Sequence, residues 1–152
     1  MRWLGFEMAL AEATDESPAV WRHDSVPYTQ FGRIDIHLES DMVALLSQMD
    51  DGSDFFGLYL QQFEDPLRVP DAEKDSHFRT RELHELPVGL IERVEVRAES
   101  ELKNLELFLW IGGVQLSFLS GEVWEDFKIL KIVVPDESIL VQVDGKRPQD
   151  QS

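Results

Sequence analysis

Alternation of apolar and polar residues predicts β-strands in several parts of the chain. Over residues 33–39 and 93–98, aliphatic residues alternate with charged residues or histidine. A period of two is typical of a strand with one buried and one solvated face. Residues 55–63 are aromatic or aliphatic on both faces, which predicts a strand in the interior of a sheet.

The last third of the chain predicts an antiparallel meander. Residues 105–111 and 114–118 alternate in the same way, and the pair Gly112-Gly113 between them predicts a two-residue hairpin turn. Further apolar runs cover residues 123–134 and 139–143, with a Pro-Asp-Glu-Ser turn signal between them. Tight turns of this kind join antiparallel neighbours, because parallel strands need long crossovers.

One stretch predicts a helix, because its apolar residues recur at offsets of zero, three, four and seven: Met42, Leu45, Leu46 and Met49. Ser40 or Asp41 can cap the N-terminus of this helix by accepting hydrogen bonds from its first free amides. The Asp-Asp-Gly-Ser sequence at residues 50–53 is expected to end it, with the glycine at the C-terminal cap.

The expected fold class is therefore α+β, an antiparallel sheet of about five to seven strands with one or two helices packed on a face. Residues 1–145 form a single domain in this interpretation, and residues 146–152 form a polar tail. Residues 64–87 combine three prolines with dense charge. They are expected to be a long loop, with a short helical turn around residues 71–76.

The N-terminal run contains Glu7, which leaves no uncharged core of the length that a secretory signal needs. We expect this run to pack on the core as a short helix or strand. No stretch approaches 18 consecutive apolar residues, so we expect no transmembrane helix. A cytoplasmic protein is the default expectation.

Composition and charge narrow the possible functions. The chain has 152 residues, with 14 Lys plus Arg against 30 Asp plus Glu, and a formal net charge of −16. The sequence contains no cysteine, which excludes disulfides, a catalytic thiol and a cysteine-based zinc site. The negative charge argues against binding a nucleic-acid backbone or an anionic membrane surface, because both bind through Lys and Arg.

The residues offer little support for catalysis. His77 and His84 lie near several carboxylates and could be assembled into a metal or acid–base site, but their spacing fits no standard ligand motif. The chain has no Gly-x-Ser-x-Gly elbow, no phosphate-binding glycine loop and no complete calcium-binding loop. We therefore expect no catalytic residue, no metal and no cofactor.

Two clusters of acidic residues are the candidate partner-binding residues: Asp50, Asp51 and Asp54, and then Glu122, Glu125 and Asp126. A solvated surface explains either cluster, and a basic protein partner is the functional alternative. Opposed charges can raise association rates to about 10⁸–10⁹ M⁻¹s⁻¹ at low salt. Phe108 and Trp110 share one face of their predicted strand and form a second candidate surface, whereas Trp124 and Phe127 are expected in the core.

The Gly-Glu-Val-Trp-Glu-Asp segment at residues 121–126 and the Pro-Asp-Glu-Ser-Ile-Leu-Val-Gln-Val segment at residues 135–143 resemble those of bacterial immunity proteins. These are inhibitors of polymorphic or contact-dependent toxins. The resemblance covers about the last 50 residues together with overall size and charge, and it assigns no role to any residue. It implies a non-catalytic cytoplasmic protein that occludes the active site of a basic toxin, such as a nuclease.

Two alternatives come from other classes of function. The first is a small hydrolase or isomerase that uses His77 or His84 with a nearby carboxylate. The second is a scaffold subunit that associates with itself through Phe108 and Trp110. The oligomeric state is left open by the sequence.

Overall fold

The computed structural model describes residues 1–8, 25–49, 56–63, 78–100, 103–127 and 129–148. Every element of regular secondary structure in these residues is a β-strand. The expected α+β class is therefore wrong, and the described fold is all-β. The strands are β1 (Arg2–Met8), β2 (Thr29–Phe31), β3 (Arg33–His37), β4 (Met42–Met49), β5 (Phe56–Phe63), β6 (Phe78–Glu82), β7 (Ile91–Ser100), β8 (Lys103–Ile111), β9 (Val114–Ser120), β10 (Glu122–Asp126), β11 (Ile129–Val133) and β12 (Ile139–Val143).

The strands form two five-stranded antiparallel sheets and one separate hairpin. The first sheet has the order β5-β4-β3-β1-β6, the second has the order β2-β12-β9-β8-β7, and the hairpin is β10-β11. Only Gly32 separates β2 from β3, so the chain passes directly from the second sheet into the first. The Gly32 amide donates to the carbonyl of Phe6 over 2.8 Å. This hydrogen bond joins the connection between the two sheets to strand β1.

The core lies between the inner faces of the two sheets. Trp3 of the first sheet stacks on Phe118 of the second, with 5.8 Å between ring centroids and 25° between ring planes. The Trp3 indole N–H donates to the carbonyl of Pro87 over 2.8 Å. Around this pair, buried apolar residues of both sheets and of the segment that follows β6 make one cluster: Phe31, Ile34, Ile36, Leu45, Leu58, Leu83, Leu86, Leu107, Leu109, Ile111, Leu116, Ile139 and Val141.

The predicted helix is instead strand β4, which pairs with β3 on one side and β5 on the other. The apolar residues fit a helical spacing because most positions of residues 42–49 are apolar, so the helical and strand patterns cannot be told apart there. Ala44 and Leu45 are consecutive, point to opposite faces and are both fully buried. Burial on both faces is typical of a strand inside a sheet. The expected cap at Asp41 is part of the turn between the strands, where its carbonyl accepts from the amide of Leu38 over 2.8 Å.

Two other expectations need correction. Residues 64–87 were expected to be a loop, but Phe78–Glu82 form β6 and pair with β1. Residues 55–63 do contain a strand, yet β5 lies at the edge of the first sheet and not in its interior. The expected helical turn around residues 71–76 lies outside the described residues.

The predicted strands of the second sheet are confirmed. Strands β7, β8, β9 and β12 cover the expected segments, and the turn between β8 and β9 is Gly112-Gly113. Both glycines have positive φ, 59° and 79°, which glycine adopts without the steric cost that a side chain brings. The run from residue 123 to 134, however, folds back on itself and forms the separate hairpin.

Strand β6 carries a buried ionic group on its inner face. The guanidinium of Arg81 donates from Nε to Glu7 over 3.0 Å, and from its two terminal nitrogens to Glu85 over 3.1 and 2.6 Å. The side chains of Glu7 and Glu85 are 0% and 4% exposed. Burial lowers the pKa of Arg81, but the two carboxylates raise it by more. Arg81 therefore remains charged and compensates both buried acids.

Replacing Arg81 with methionine should destabilise the fold by about 3–5 kcal/mol, because two carboxylates are then left buried without their cation. Arg2→Met is the matched control, since Arg2 pairs with Glu82 between the same two strands, at 3.2 Å, but is exposed. An exposed pair is worth about 0–1 kcal/mol. Urea unfolding of both variants measures the difference, and equal effects would contradict the assigned role of Arg81.

Candidate protein-binding hairpin

The β10–β11 hairpin packs over the outer face of the second sheet. One of its faces carries Val123, which is buried against Leu119 and Leu140 of β9 and β12, and Leu130, which packs beside them. Val26 completes this small second core. The hairpin therefore rests on the sheet through one face only.

The base of the hairpin is fixed by hydrogen bonds. The Val123 amide donates to the side-chain carbonyl of Gln30 over 2.9 Å, and the Gly121 amide donates to the carbonyl of Ser138 over 2.9 Å. The indole N–H of Trp124 donates to a carboxylate oxygen of Asp136 over 3.1 Å. These contacts hold the orientation of β10 relative to the sheet and leave the other end of the hairpin projecting.

The projecting end exposes large apolar side chains. Phe127 is 95% exposed and Ile129 is 70% exposed. Trp124, nearer the base, shares a face with Ile129 and is also exposed. The expectation that Trp124 and Phe127 lie in the core is therefore wrong. Contiguous exposed apolar surface on a folded protein is typical of a binding site for another protein.

The backbone at Phe127 supports a functional explanation. Phe127 has φ of 46°, a left-handed conformation that costs a residue with a side chain about 1–2 kcal/mol. Among the described residues, Asp144 is the other non-glycine residue with a positive φ, at 50°. Its carboxylate accepts a hydrogen bond from the Gln115 amide over 2.9 Å. Aspartate tolerates this conformation in turns. Phe127 has neither that tolerance nor burial to offset the cost, so folding does not explain its presence.

Phe127→Gly should therefore stabilise the isolated protein, by about 1 kcal/mol, because glycine adopts this φ without strain. Asp144→Gly is the control, and it should not stabilise the protein because it removes the hydrogen bond to Gln115. Thermal unfolding of the two variants beside the wild type measures both effects. A loss of stability in Phe127→Gly would mean that the phenylalanine has a structural role.

The acidic candidates are placed differently from one another. Glu122 is partly buried at the hairpin base, on the face that carries Trp124, and Glu125 is exposed on the opposite face. Asp126 ends β10 beside the tip, and its side chain is outside the described set. The other cluster, Asp50, Asp51 and Asp54, lies outside the described residues.

The carboxyl of Glu122 has a raised pKa. Burial is the largest cause, the negative charges of Asp136 and Glu137 raise the pKa further, and the polar N–H of the neighbouring Trp124 indole lowers it. The folded protein thus binds a proton at Glu122 more tightly than the unfolded chain does. The ionised carboxylate consequently costs stability, and this cost grows as the pH rises through the raised pKa.

Glu122→Gln should raise the melting temperature at pH 7, because the variant has no ionised group at this position. The gain should shrink as the pH falls towards the ordinary glutamate pKa of 4.5 and below, where the wild-type carboxyl is protonated in both states. Glu125→Gln makes the same change of charge at an exposed position and should leave the melting temperature nearly unchanged. A gain for Glu122→Gln that does not depend on pH would contradict the electrostatic explanation.

The histidine candidates have no catalytic arrangement in the described residues. His84 is exposed and borders a cavity of about 480 Å³ near the N-terminus, in which Arg2 and Glu82 pair with each other. His77 lies outside the described residues. No group of three or more His, Asp or Glu side chains in the described ranges is arranged to hold a metal ion.

Phe108 and Trp110 lie on the outer face of the second sheet, half-buried, with 6.1 Å between their ring centroids. The guanidinium of Arg93 lies 4.5 Å from the centroid of Trp110 and also forms a salt bridge with Glu95. This surface is thus covered in part by charged side chains of its own sheet, whereas Phe127 and Ile129 at the hairpin tip are exposed.

Comparison with protein-family models, curated proteins and solved structures gives no match for this chain. Within the described residues there is no helix that could cross a membrane. The functional argument therefore depends on the hairpin itself. Sequence reasoning missed its tip because the apolar residues at 123–134 fit a continuous buried strand. No typical turn residue marks the reversal at Phe127, so the sequence offered no clear signal for it.

Proposed function

We propose that this protein is a non-catalytic binding protein that inserts the tip of its β10–β11 hairpin into a groove on a protein partner. The observation that carries the proposal is the exposure of Phe127. Its side chain is 95% exposed, and its backbone has a positive φ that is unfavourable for a residue with a side chain. An aromatic anchor on a preorganised turn loses little conformational freedom on binding. Aromatic anchors in pockets supply most of the energy of many protein interfaces.

Charge supports a basic partner. The chain has a net charge of −16, and Glu125 is exposed on the hairpin. Opposite charge around an apolar anchor steers encounter and fixes orientation, while the anchor supplies the affinity. Glu122 and Asp136 at the base add negative charge on the face of the hairpin that carries Trp124.

A cytoplasmic immunity protein is the specific form of this role that we favour. In that role the hairpin occludes the active site of a basic toxin, such as a nuclease whose substrate groove is lined with Lys and Arg. The resemblance of residues 121–126 to immunity proteins supports this form, because those residues contain β10. A projecting hairpin has a shape that can enter a cleft.

The test uses the basic protein that co-purifies with this chain from its native host. Phe127→Ser combined with Ile129→Ser should weaken binding to that purified partner by about 30-fold or more, since loss of a hot spot costs at least about 2 kcal/mol. Val88→Ser combined with Leu90→Ser is the matched control, because these residues are 62% and 81% exposed but lie away from the hairpin. Calorimetric titration measures both affinities.

Glu125→Lys should slow association with the same partner and reduce its dependence on salt, with a smaller effect on dissociation. Inhibition of the partner's activity by the wild type, lost in the Phe127 and Ile129 variant, would support the immunity form. Equal affinities for the hairpin variant and its control would overturn the docking role of the hairpin.

A further inference from the structure

Strand β7 is an open edge of the second sheet. It is the longest described strand, with ten residues, and among the described residues it pairs only with β8. Residues 92–98 are all exposed. The side of β7 that faces away from β8 therefore presents backbone N–H and C=O groups to solvent, which is a template for pairing with another strand.

The side chains of β7 do not oppose such pairing. Natural edges are usually protected by proline, by short length, by β-bulges or by charges that point inwards. The pairing of β7 with β8 is regular from Arg93 to Arg97 and shifts register on either side of that stretch. Strand β7 contains no proline, and its inward row is apolar, with Val94 opposite Leu109 and Val96 opposite Leu107. These valines remain 55% and 51% exposed, although their row continues the core face of the sheet.

The outward row of β7 alternates in sign: Arg93, Glu95 and Arg97. In an antiparallel pair of two copies with Val96 opposite Val96, Glu95 of each copy faces Arg97 of the other. In the same register Val94 faces Ala98. Every pair across the interface from residue 94 to residue 98 is then either apolar or oppositely charged, which is the favourable case for cross-strand pairs.

The neighbouring registers are less favourable. Shifting the pairing by two residues in the direction that places Glu95 opposite Glu95 also places Arg93 opposite Arg97, so like charges face each other. A further shift of two residues sets Val96 against Glu92, where β7 has a bulge. A shift by one residue brings the charged row against the apolar row. Shifting by two residues in the opposite direction places Arg97 opposite Arg97 and Glu95 opposite Glu99, again like charges. The sequence of β7 thus favours the register with a two-fold axis at Val96.

We propose that a second copy of this chain pairs with β7 through that register, joining the two second sheets into one continuous ten-stranded sheet. The small net charge of β7 allows two copies of the strand to pair. The ten residues of β7 contain three acids and two arginines, a net charge of −1 in a chain of −16. Leu60 of β5 lines a groove together with Val96 and adds exposed apolar surface on the same side. The hairpin packs over β9 and β12, so both hairpins stay free.

Charge reversal tests the pairing. In sedimentation velocity at physiological ionic strength, the wild type should show a dimer that grows with protein concentration. Glu95→Lys and Arg97→Glu should each weaken the dimer by about tenfold or more, because two attractive pairs become repulsive. An equal mixture of the two variants should restore it, since each introduced charge then faces its opposite. Glu137→Lys is the control for net charge and should dimerise like the wild type.

Cross-linking tests the register, because the chain has no cysteine of its own. Val96→Cys should form an intermolecular disulfide on mild oxidation, since the two-fold axis brings the two sulfurs within bonding distance. Val94→Cys alone should cross-link much more slowly, and a mixture with Ala98→Cys should cross-link readily. A wild type that stays monomeric up to its solubility limit, or a mixture of Glu95→Lys and Arg97→Glu that does not dimerise, would overturn the proposal. Neither result bears on the hairpin, whose test uses a different partner.

Discussion

The stacking of Trp3 on Phe118 between the two sheets is the contact on which the rest of the structure depends. Each sheet alone would leave one apolar face in water, and the two rings are, with Phe31, the largest side chains that fill the space between those faces. A buried indole N–H needs an acceptor, which Pro87 supplies. That bond holds the segment just before β7 against the core, so the same contact that closes the sandwich also fixes where the open edge begins.

Closure of this core decides which parts of the chain are left outside it. Both five-stranded sheets use their inner faces against each other, and the hairpin covers the outer face of only one of them, over Leu119 and Leu140. The first sheet ends at β5, and Val96 of β7 remains exposed beside Leu60. The two candidate interaction surfaces are thus consequences of sheet packing: a hairpin held at its base, and a strand that extends beyond the cover of the opposite sheet.

The sequence predicted strands where aliphatic residues recur at every second position or fill a short run between turn signals, and failed for β4 and β6 of the first sheet. Strands β3 and β8 alternate cleanly, and the turn at Gly112-Gly113 requires the positive φ that glycine allows. Strand β4 is buried on both faces, so its apolar residues fit a helical stripe equally well. Strand β6 was missed because its inward residue is Arg81, whose burial depends on Glu85 and on Glu7, which is distant in the sequence.

The same limit applies to the candidate site. Charge alone was enough to select Glu122 and Glu125 as candidate partner-binding residues. Whether Phe127 is buried or exposed depends on where the chain turns back, and an apolar run does not show that position. The sequence of β7 was read as a strand, yet its position at an edge follows only from the order of the sheet. The period of the apolar residues and the composition therefore predict where strands and charged residues lie in the sequence. Which strands are exposed depends on their order in the sheets.

The two exposed surfaces call for different partners on physical grounds. The hairpin tip is apolar, and Glu125 is exposed on the same hairpin in a chain of net charge −16, so a second copy would bring like charges together around the tip. Strand β7 is nearly neutral, and its charges complement themselves when the strand is reversed. Electrostatics is therefore the ground on which we propose a basic protein as the partner of the hairpin and a second copy of this chain as the partner of β7.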